Sequence, residues 1–98
     1  MPLRMIQVGL GDFGRRWMKI VNAHPAWEYV AIATRNKTVR DQCGEECGLA
    51  MTRRFATLRE ALDSGVEADA VLVTTPHFRH KDDVVLVLDR GIDVLVEK

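Results

Sequence analysis

An apolar run that ends in a glycine-rich turn opens the chain and constrains its fold more than any other feature. Residues 5–8 read Met-Ile-Gln-Val and lead into Gly9, Gly11 and Gly14, which have the spacing G-x-G-x-x-G. In this motif the first glycine permits a tight turn, the second lets backbone approach a pyrophosphate, and the third lets helix and strand pack closely. Helical spacing begins at Phe13. The sequence therefore predicts a dinucleotide bound at the N-terminus of that helix.

The bulk composition limits the classes of function. The 98 residues suit one domain, residues 1–98, and a chain of this size buries roughly two-thirds of the surface that it exposes when unfolded. Lysine and arginine (14) balance aspartate and glutamate (14), so no overall field attracts nucleic acid or an anionic membrane. The N-terminus lacks a signal-peptide pattern, and no apolar run approaches the roughly 18 residues that span a bilayer. We expect a cytoplasmic protein in which any anion site is local.

Apolar runs alternate with segments of helical spacing along the chain. The pattern predicts strands at residues 3–9, 28–34, 54–56, 68–75 and 92–96. It predicts helices at residues 13–23, 38–49, about 57–63 and 78–90, with Thr57 and Glu60 as a capping box and Gly91 as a helix terminator. Such an order forms a parallel sheet through right-handed crossovers, with strand order 3-2-1-4-5. The predicted fold class is α/β, a Rossmann-type doubly wound parallel sheet of five strands.

Helical spacing also predicts which side chains face the core. They are Phe13, Trp17, Ile20 and Val21 in the first helix, Val39, Cys43 and Cys47 in the second, and Val84, Val85 and Leu88 in the last. The two cysteines suit neither a disulfide framework nor a complete metal site, so we expect reduced thiols. His24, His77 and His80 lack a carboxylate or thiolate at a spacing that would complete a metal site.

The residues that suggest chemistry all follow predicted strands. They are residues 9–14, 34–36, 74–77 and 97–98. In doubly wound sheets, ligands bind beyond the carboxyl ends of the strands, at the point where the strand order reverses. We therefore expect these segments to form one site between the first and fourth strands.

The end of the second strand indicates which dinucleotide binds. NAD-binding units usually have an aspartate or glutamate there, which accepts hydrogen bonds from the adenosine ribose. This chain has Thr34, Arg35 and Asn36 instead, and Arg35 offers a cationic fork suited to a 2′-phosphate. The predicted cofactor is NADP, with NAD as the alternative if Arg35 is only a solvated loop residue. Lys37 and Arg40 lie close enough in sequence to share the phosphate.

A methyltransferase is a second interpretation of the glycine turn, because it also binds an adenosine at the edge of a parallel sheet. Such an enzyme normally has an acidic residue for the ribose after the second strand, and residues 34–36 contain none. The spacing of the glycines also favours a dinucleotide.

Together with the glycine motif, the segments Thr74-Thr75-Pro76-His77-Phe78-Arg79-His80 and Val94-Leu95-Val96-Glu97-Lys98 make the chain resemble the Gfo/Idh/MocA family of oxidoreductases. The resemblance covers the whole chain as the N-terminal nucleotide-binding domain. It implies hydride transfer between a nicotinamide cofactor and a sugar-like or polyol substrate. It also implies that the chain is truncated before a C-terminal α/β domain that holds the substrate, so that this fragment alone would be inactive.

The resemblance further implies roles for individual residues. Gly9, Gly11 and Gly14 match the pyrophosphate loop, to which Asp12 and Phe13 supply backbone N–H groups. The turn beneath the ribose and nicotinamide is matched by Thr74, Thr75 and Pro76. His77 stands where the family most often has asparagine, and His80 matches a histidine that orders the helix start. The closing Glu97 and Lys98 match a Glu-Lys pair in which the glutamate lies near the cofactor and the lysine is catalytic.

Two other classes of function remain open from the sequence. One is a nucleotide sensor without catalysis. The other is an interaction module, because the last strand would lack a neighbour and an unpaired apolar edge favours association, including a homo-oligomer.

Overall fold

Strands and helices alternate in the structure, a computed structural model that describes residues 2–96. Within that range the strands are β1 (Leu3–Val8), β2 (Trp27–Ala33), β3 (Arg54–Phe55), β4 (Ala70–Val73) and β5 (Asp93–Val96). The helices are α1 (Asp12–Ala23), α2 (Lys37–Glu46), α3 (Leu58–Asp63) and α4 (His77–Asp89), with a 3-10 turn at Met51–Arg53. Each predicted element is present, and most boundaries move by one or two residues.

The strands form one parallel sheet in the order β3-β2-β1-β4-β5, as predicted. The order reverses between β1, which leads to α1, and β4, which leads to α4. These two strands end in register, with Val8 paired with Val73. The segments that follow them therefore start side by side at the carboxyl edge of the sheet.

Helices cover both faces of the sheet at its central strands β1, β2 and β4, where apolar side chains face both ways, whereas the edge strand β5 is largely exposed. One face packs on α1 and α2, and the other packs on α3 and α4. The first core contains Met5, Leu10, Met18, Val21, Tyr29, Ile32, Cys43, Leu49 and Leu72, with Trp17, Trp27, Val39 and Cys47 packed against it. The second contains Ile6, Val8, Ala31, Ala33, Leu58, Ala61, Leu62, Val71, Val73 and Val87. The predicted inward positions of α2 and of Trp17 are thus confirmed.

Three helix ends follow the local sequence signals. The Asn36 side chain accepts a hydrogen bond from the Val39 N–H at 3.1 Å and caps α2. At the start of α3, Thr57 accepts from the Glu60 N–H at 3.1 Å, and the predicted cap is confirmed. After α4, Gly91 adopts φ 69° and ends the helix.

The predicted inward face of α1 is partly wrong. Phe13 is 55% exposed and Ile20 is 60% exposed, whereas Gly14, Met18 and Val21 are buried. The reason is the close approach of the helix to the glycine turn. Since position 14 must face the sheet, positions four and seven residues later face it too, and Phe13 and Ile20 turn outward.

The predicted inward face of α4 is also partly wrong. Val85 and Leu88 are 48% and 57% exposed, while Val87 is fully buried. The first turns of α4 are fixed by polar contacts to the preceding loop, because His80 and Asp83 both bond to Thr75. This rotation brings position 87 against the sheet.

The thiols of Cys43 in α2 and of Cys47, the residue that follows α2, lead us to expect a loss of stability at alkaline pH. Burial raises the pKa of Cys47 from 9.0 to about 12, and it also raises the pKa of Cys43 and of the Tyr29 hydroxyl. The folded chain therefore keeps protons that the unfolded chain releases above about pH 9, so these groups contribute stability that is lost as pH rises. Urea unfolding at pH 8 and pH 10.5 should show a decrease of roughly 1 kcal/mol, a figure reduced for the partial exposure of Cys47. The decrease should be smaller in Cys47→Ala, and an equal decrease would contradict this assignment.

Candidate dinucleotide site

An open cleft of about 830 Å³ lies at the carboxyl edge of the sheet, a size typical of small-molecule and cofactor sites. It brings together predicted site residues from three segments, each made of the loop after a strand and, after β1 and β4, the first turn of the following helix. They are Gly9, Gly11, Asp12, Phe13 and Gly14 after β1, Thr34, Arg35 and Asn36 after β2, and Thr74, Thr75, Pro76 and His80 after β4. Glu97 and Lys98 lie outside the described residues, as does the side chain of His77.

The three glycines of the first loop have different surroundings. Gly9 adopts φ 86°, and a Cβ built on it would lie 2.7 Å from the Thr75 backbone nitrogen. A Cβ on Gly14 would lie 2.3 Å from the carbonyl oxygen of Gly9. A Cβ on Gly11 would meet nothing within 4 Å, so this glycine faces open space in the cleft. The outer glycines are required by the protein's own packing, and the middle one leaves room for a ligand.

The start of α1 suits an anion. Gly11 is the N-cap residue, and no side chain caps the helix there. The first N–H groups of a helix have no partner within the helix, and they lie at the positive end of its dipole. These donors and the open space at Gly11 fit a pyrophosphate. Asp12 is exposed and its carboxylate lies 3.7 Å from the Arg15 guanidinium, so its backbone, rather than its side chain, is suited to phosphate.

At the end of β2, hydrogen bonds and an ion pair engage two cations, Arg40 and Lys37, and leave the Arg35 side chain without a partner among the described residues. The Arg40 guanidinium donates to the carbonyl of Thr34 at 2.9 Å. Lys37 pairs with Asp41 at 3.0 Å, an interaction that holds the pKa of that carboxyl below its usual range. The Arg35 side chain lines the cleft, is exposed, and has no ion pair or hydrogen bond with any residue in the range 2–96.

The loop after β4 is held by its own side chains. The Thr74 hydroxyl lies 2.5 Å from the Gly9 carbonyl oxygen and 3.1 Å from that of Val8. The Thr75 hydroxyl donates to the Asp83 carboxylate at 2.6 Å, and the His80 ring pairs with the Thr75 carbonyl oxygen through Nε2. The His80 ring thereby links the first turn of α4 to the loop that precedes it. The two threonine hydroxyls are engaged within the protein and so shape the cleft.

Several residues of this site were not predicted from the sequence. Arg59, Arg79 and Asp83 line the cleft, but they lie on helices rather than in the loops that follow strands. The only sequence signal for such residues is the helical spacing of apolar positions, and for α4 that spacing predicted the wrong inward face. Gln7 was missed as well, although an amide within an apolar strand is itself a signal, because buried polar groups need partners.

Between residues 2 and 96, none of the helices combines the length and the apolar character that crossing a membrane requires. In the same range, His, Cys, Asp and Glu side chains form no group of three or more that could hold a metal ion.

Comparison with known proteins places this geometry in a family. The model of the Gfo/Idh/MocA oxidoreductase family, described as an NAD-binding Rossmann fold, matches residues 3–98. A comparison with curated proteins gives no match. Among solved structures, the myo-inositol 2-dehydrogenase of Lactobacillus plantarum has the same fold, with a TM-score of 0.88 at 23% identity over 100% of this chain and 28% of that chain.

Two further structures are somewhat more similar in sequence. The WlbA dehydrogenase of Bordetella pertussis, in complex with NADH and UDP-GlcNAcA, has a TM-score of 0.89 at 26% identity over 100% of this chain and 30% of that chain. A mutant 3-ketoreductase of Actinomadura kijaniata, in complex with TDP-benzene and NADP, has a TM-score of 0.84 at 27% identity over 98% and 30%. The chain thus spans 28–30% of the length of these enzymes. With its glycine loop, its strand order and a family match over residues 3–98, the chain belongs to the Gfo/Idh/MocA family of oxidoreductases and has that family's NAD-binding Rossmann fold.

Proposed function

We propose that this chain binds NADP in preference to NAD, as the nucleotide-binding domain of a sugar or polyol oxidoreductase. The observation that carries the choice of NADP is Arg35, an exposed cation with no partner in the range 2–96, at the edge of the cleft. Residues 34–36 contain no carboxylate that would accept hydrogen bonds from the ribose of NAD or repel a 2′-phosphate. The planar guanidinium of arginine matches phosphate geometry.

The neighbouring cations support the choice of Arg35 in particular. Lys37 is paired with Asp41, and Arg40 is bonded to the Thr34 carbonyl. A phosphate that recruited either of them would have to replace an existing contact. Arg35 loses only water when it binds.

The proposed reaction is hydride transfer between the cofactor and a carbon that carries a hydroxyl group. When bound, the nicotinamide supplies the carbon that accepts or donates the hydride. The chain's own residues would bind and orient it: the N–H groups at the start of α1 would hold the pyrophosphate, and the loop from Thr74 to Pro76 would support the nicotinamide ribose. Lys98, next to Glu97, is proposed to move the proton at the substrate oxygen.

The substrate class is supported by the solved relatives. WlbA holds a nucleotide sugar, UDP-GlcNAcA, with NADH, and the Actinomadura kijaniata enzyme holds TDP-benzene with NADP. The share of those enzymes that has no counterpart in this chain is proposed to hold the substrate. The two relatives hold different dinucleotides, so the preference for NADP rests on Arg35.

Calorimetric titration tests the preference. We expect the chain to bind NADPH more tightly than NADH, and Arg35→Ala to remove the difference. A charge-assisted phosphate contact contributes roughly 1.5–3 kcal/mol, so NADPH affinity should fall about tenfold to a hundredfold while NADH affinity stays nearly constant.

Arg53→Ala is the matched control, because it removes an exposed arginine that does not line the cleft. It should leave both affinities unchanged. Equal affinity of the unaltered chain for NADPH and NADH would contradict the preference for NADP. Binding of neither dinucleotide would contradict the proposed function itself.

A further inference from the structure

Gln7 is an amide near the carboxyl end of β1, in a buried stretch that is otherwise apolar. It is fully buried. Among the residues whose burial the structure describes, no other residue with an amide side chain and no charged residue is buried. Burial of an amide is unfavourable unless its hydrogen bonds are made. The arrangement of its partners therefore indicates what the residue does.

The Gln7 amide bonds to the segments of the dinucleotide site through its nitrogen and to Tyr29 through its oxygen. The Gln7 Nε2 donates to the Gly14 carbonyl at 2.8 Å and to the Thr74 hydroxyl oxygen at 3.0 Å. The Tyr29 hydroxyl, from β2, donates to the Gln7 Oε1 at 2.5 Å. The carbonyl of Gly14 can only accept, so it fixes which end of the amide faces the loop.

Tyr29 keeps the amide in this orientation over a wide pH range. Burial raises the pKa of the Tyr29 hydroxyl, so it remains protonated and remains a donor. Thr74 continues the network to the other end of the loop, since its hydroxyl lies 2.5 Å from the Gly9 carbonyl oxygen. The first and third glycines of the motif are thus held by one buried network, which we call the Gln7 network: Tyr29, Gln7 and Thr74.

We propose that Gln7 is a positioning residue for the dinucleotide, and that the Gln7 network holds the glycine loop in its binding conformation before the ligand arrives. This inference rests on the proposed function. It extends that function by assigning part of the affinity for the pyrophosphate to residues that do not touch it. Pre-organisation of a binding loop raises affinity because less ordering remains to be done on binding.

The test separates loop positioning from general stability by using two ligands. NADPH occupies the loop and the Arg35 region, whereas adenosine 2′-monophosphate has no pyrophosphate and engages only the latter. We expect Gln7→Leu and Tyr29→Phe each to weaken NADPH binding by about tenfold and to leave the affinity for adenosine 2′-monophosphate unchanged. Tyr29→Phe keeps the ring in the core, and it provides the measurement if Gln7→Leu fails to fold.

Ile32→Val is the matched control. Ile32 is a fully buried β2 residue that pairs in register with Gln7, and as a hydrocarbon it makes no polar contact with the loop. It should lower the melting temperature without changing either affinity. The inference alone would be overturned if the unaltered chain binds NADPH tightly and the folded variants Tyr29→Phe and Gln7→Leu bind it with the same affinity. Absence of NADPH binding in the unaltered chain would overturn the proposed function, and the inference with it.

Discussion

Gly14→Ala is expected to destabilise the fold strongly. Of the two loop glycines with negative φ, Gly11 and Gly14, it is Gly14 whose replacement by alanine should cost more stability. The new Cβ would lie 2.3 Å from the Gly9 carbonyl oxygen and 2.8 Å from the Thr74 hydroxyl oxygen. Neither atom can withdraw easily, because one is backbone and the other belongs to the Gln7 network. Overpacking of this kind costs roughly 3 kcal/mol or more. Thermal unfolding followed by circular dichroism should show a melting temperature lower by at least about 12 °C.

Gly11→Ala is the matched variant, because it adds the same methyl group three positions away in the chain. A Cβ at Gly11 meets nothing within 4 Å, and the remaining cost is the less favourable N-cap residue, about 1 kcal/mol at most. The methyl group would instead enter the space proposed for the pyrophosphate, so NADPH affinity should fall more than tenfold while the chain stays folded. Similar melting temperatures for the two variants would contradict the division of roles between the glycines.

The sequence predicted the fold because each signal was local and the signals agreed. Apolar runs, the capping residue Thr57 and the terminating Gly91 mark the ends of elements, and the alternation of strands and helices leaves few parallel topologies. The loops of the site were predictable for the same reason. Strand ends of a parallel sheet share one edge, so residues that follow strands converge whatever the details of packing.

The details of the site depend on contacts that periodicity does not contain. The rotation of α1 is set by the backbone contact between Gly14 and Gly9, and that of α4 by the bonds from His80 and Asp83 to Thr75. A hydrophobic pattern does not contain such contacts. It therefore predicted inward positions for four residues that are exposed: Phe13, Ile20, Val85 and Leu88. Arg59, Arg79 and Asp83, which reach the cleft from helices, were therefore missed, whereas the segments that directly follow strands were found.

Because Arg54 packs on Gly44, we expect the effect of Gly44→Ala on the free energy of unfolding to change sign when Arg54 is removed. The Arg54 side chain is 7% exposed, and it donates to the Leu49 carbonyl at 2.6 Å and 3.0 Å and to Glu45 at 3.4 Å. It connects the segment after α2 to β3. Removing it in Arg54→Ala leaves that carbonyl without its charged donor and should lower the free energy of unfolding by about 2–3 kcal/mol.

Gly44 is buried in α2 because Arg54 crosses it. A Cβ on Gly44 would lie 2.1 Å from the Arg54 Nε, and the guanidinium cannot move aside without losing its bonds to Leu49. Gly44→Ala should therefore destabilise the chain by about 1–3 kcal/mol. In the Arg54→Ala background the obstacle is gone, and alanine should stabilise the helix by up to about 1 kcal/mol over glycine. Urea unfolding of the two single variants and the double variant measures this coupling. If the effects of the two substitutions on the free energy of unfolding are additive, the packing of Arg54 is not the reason that α2 has a glycine at position 44.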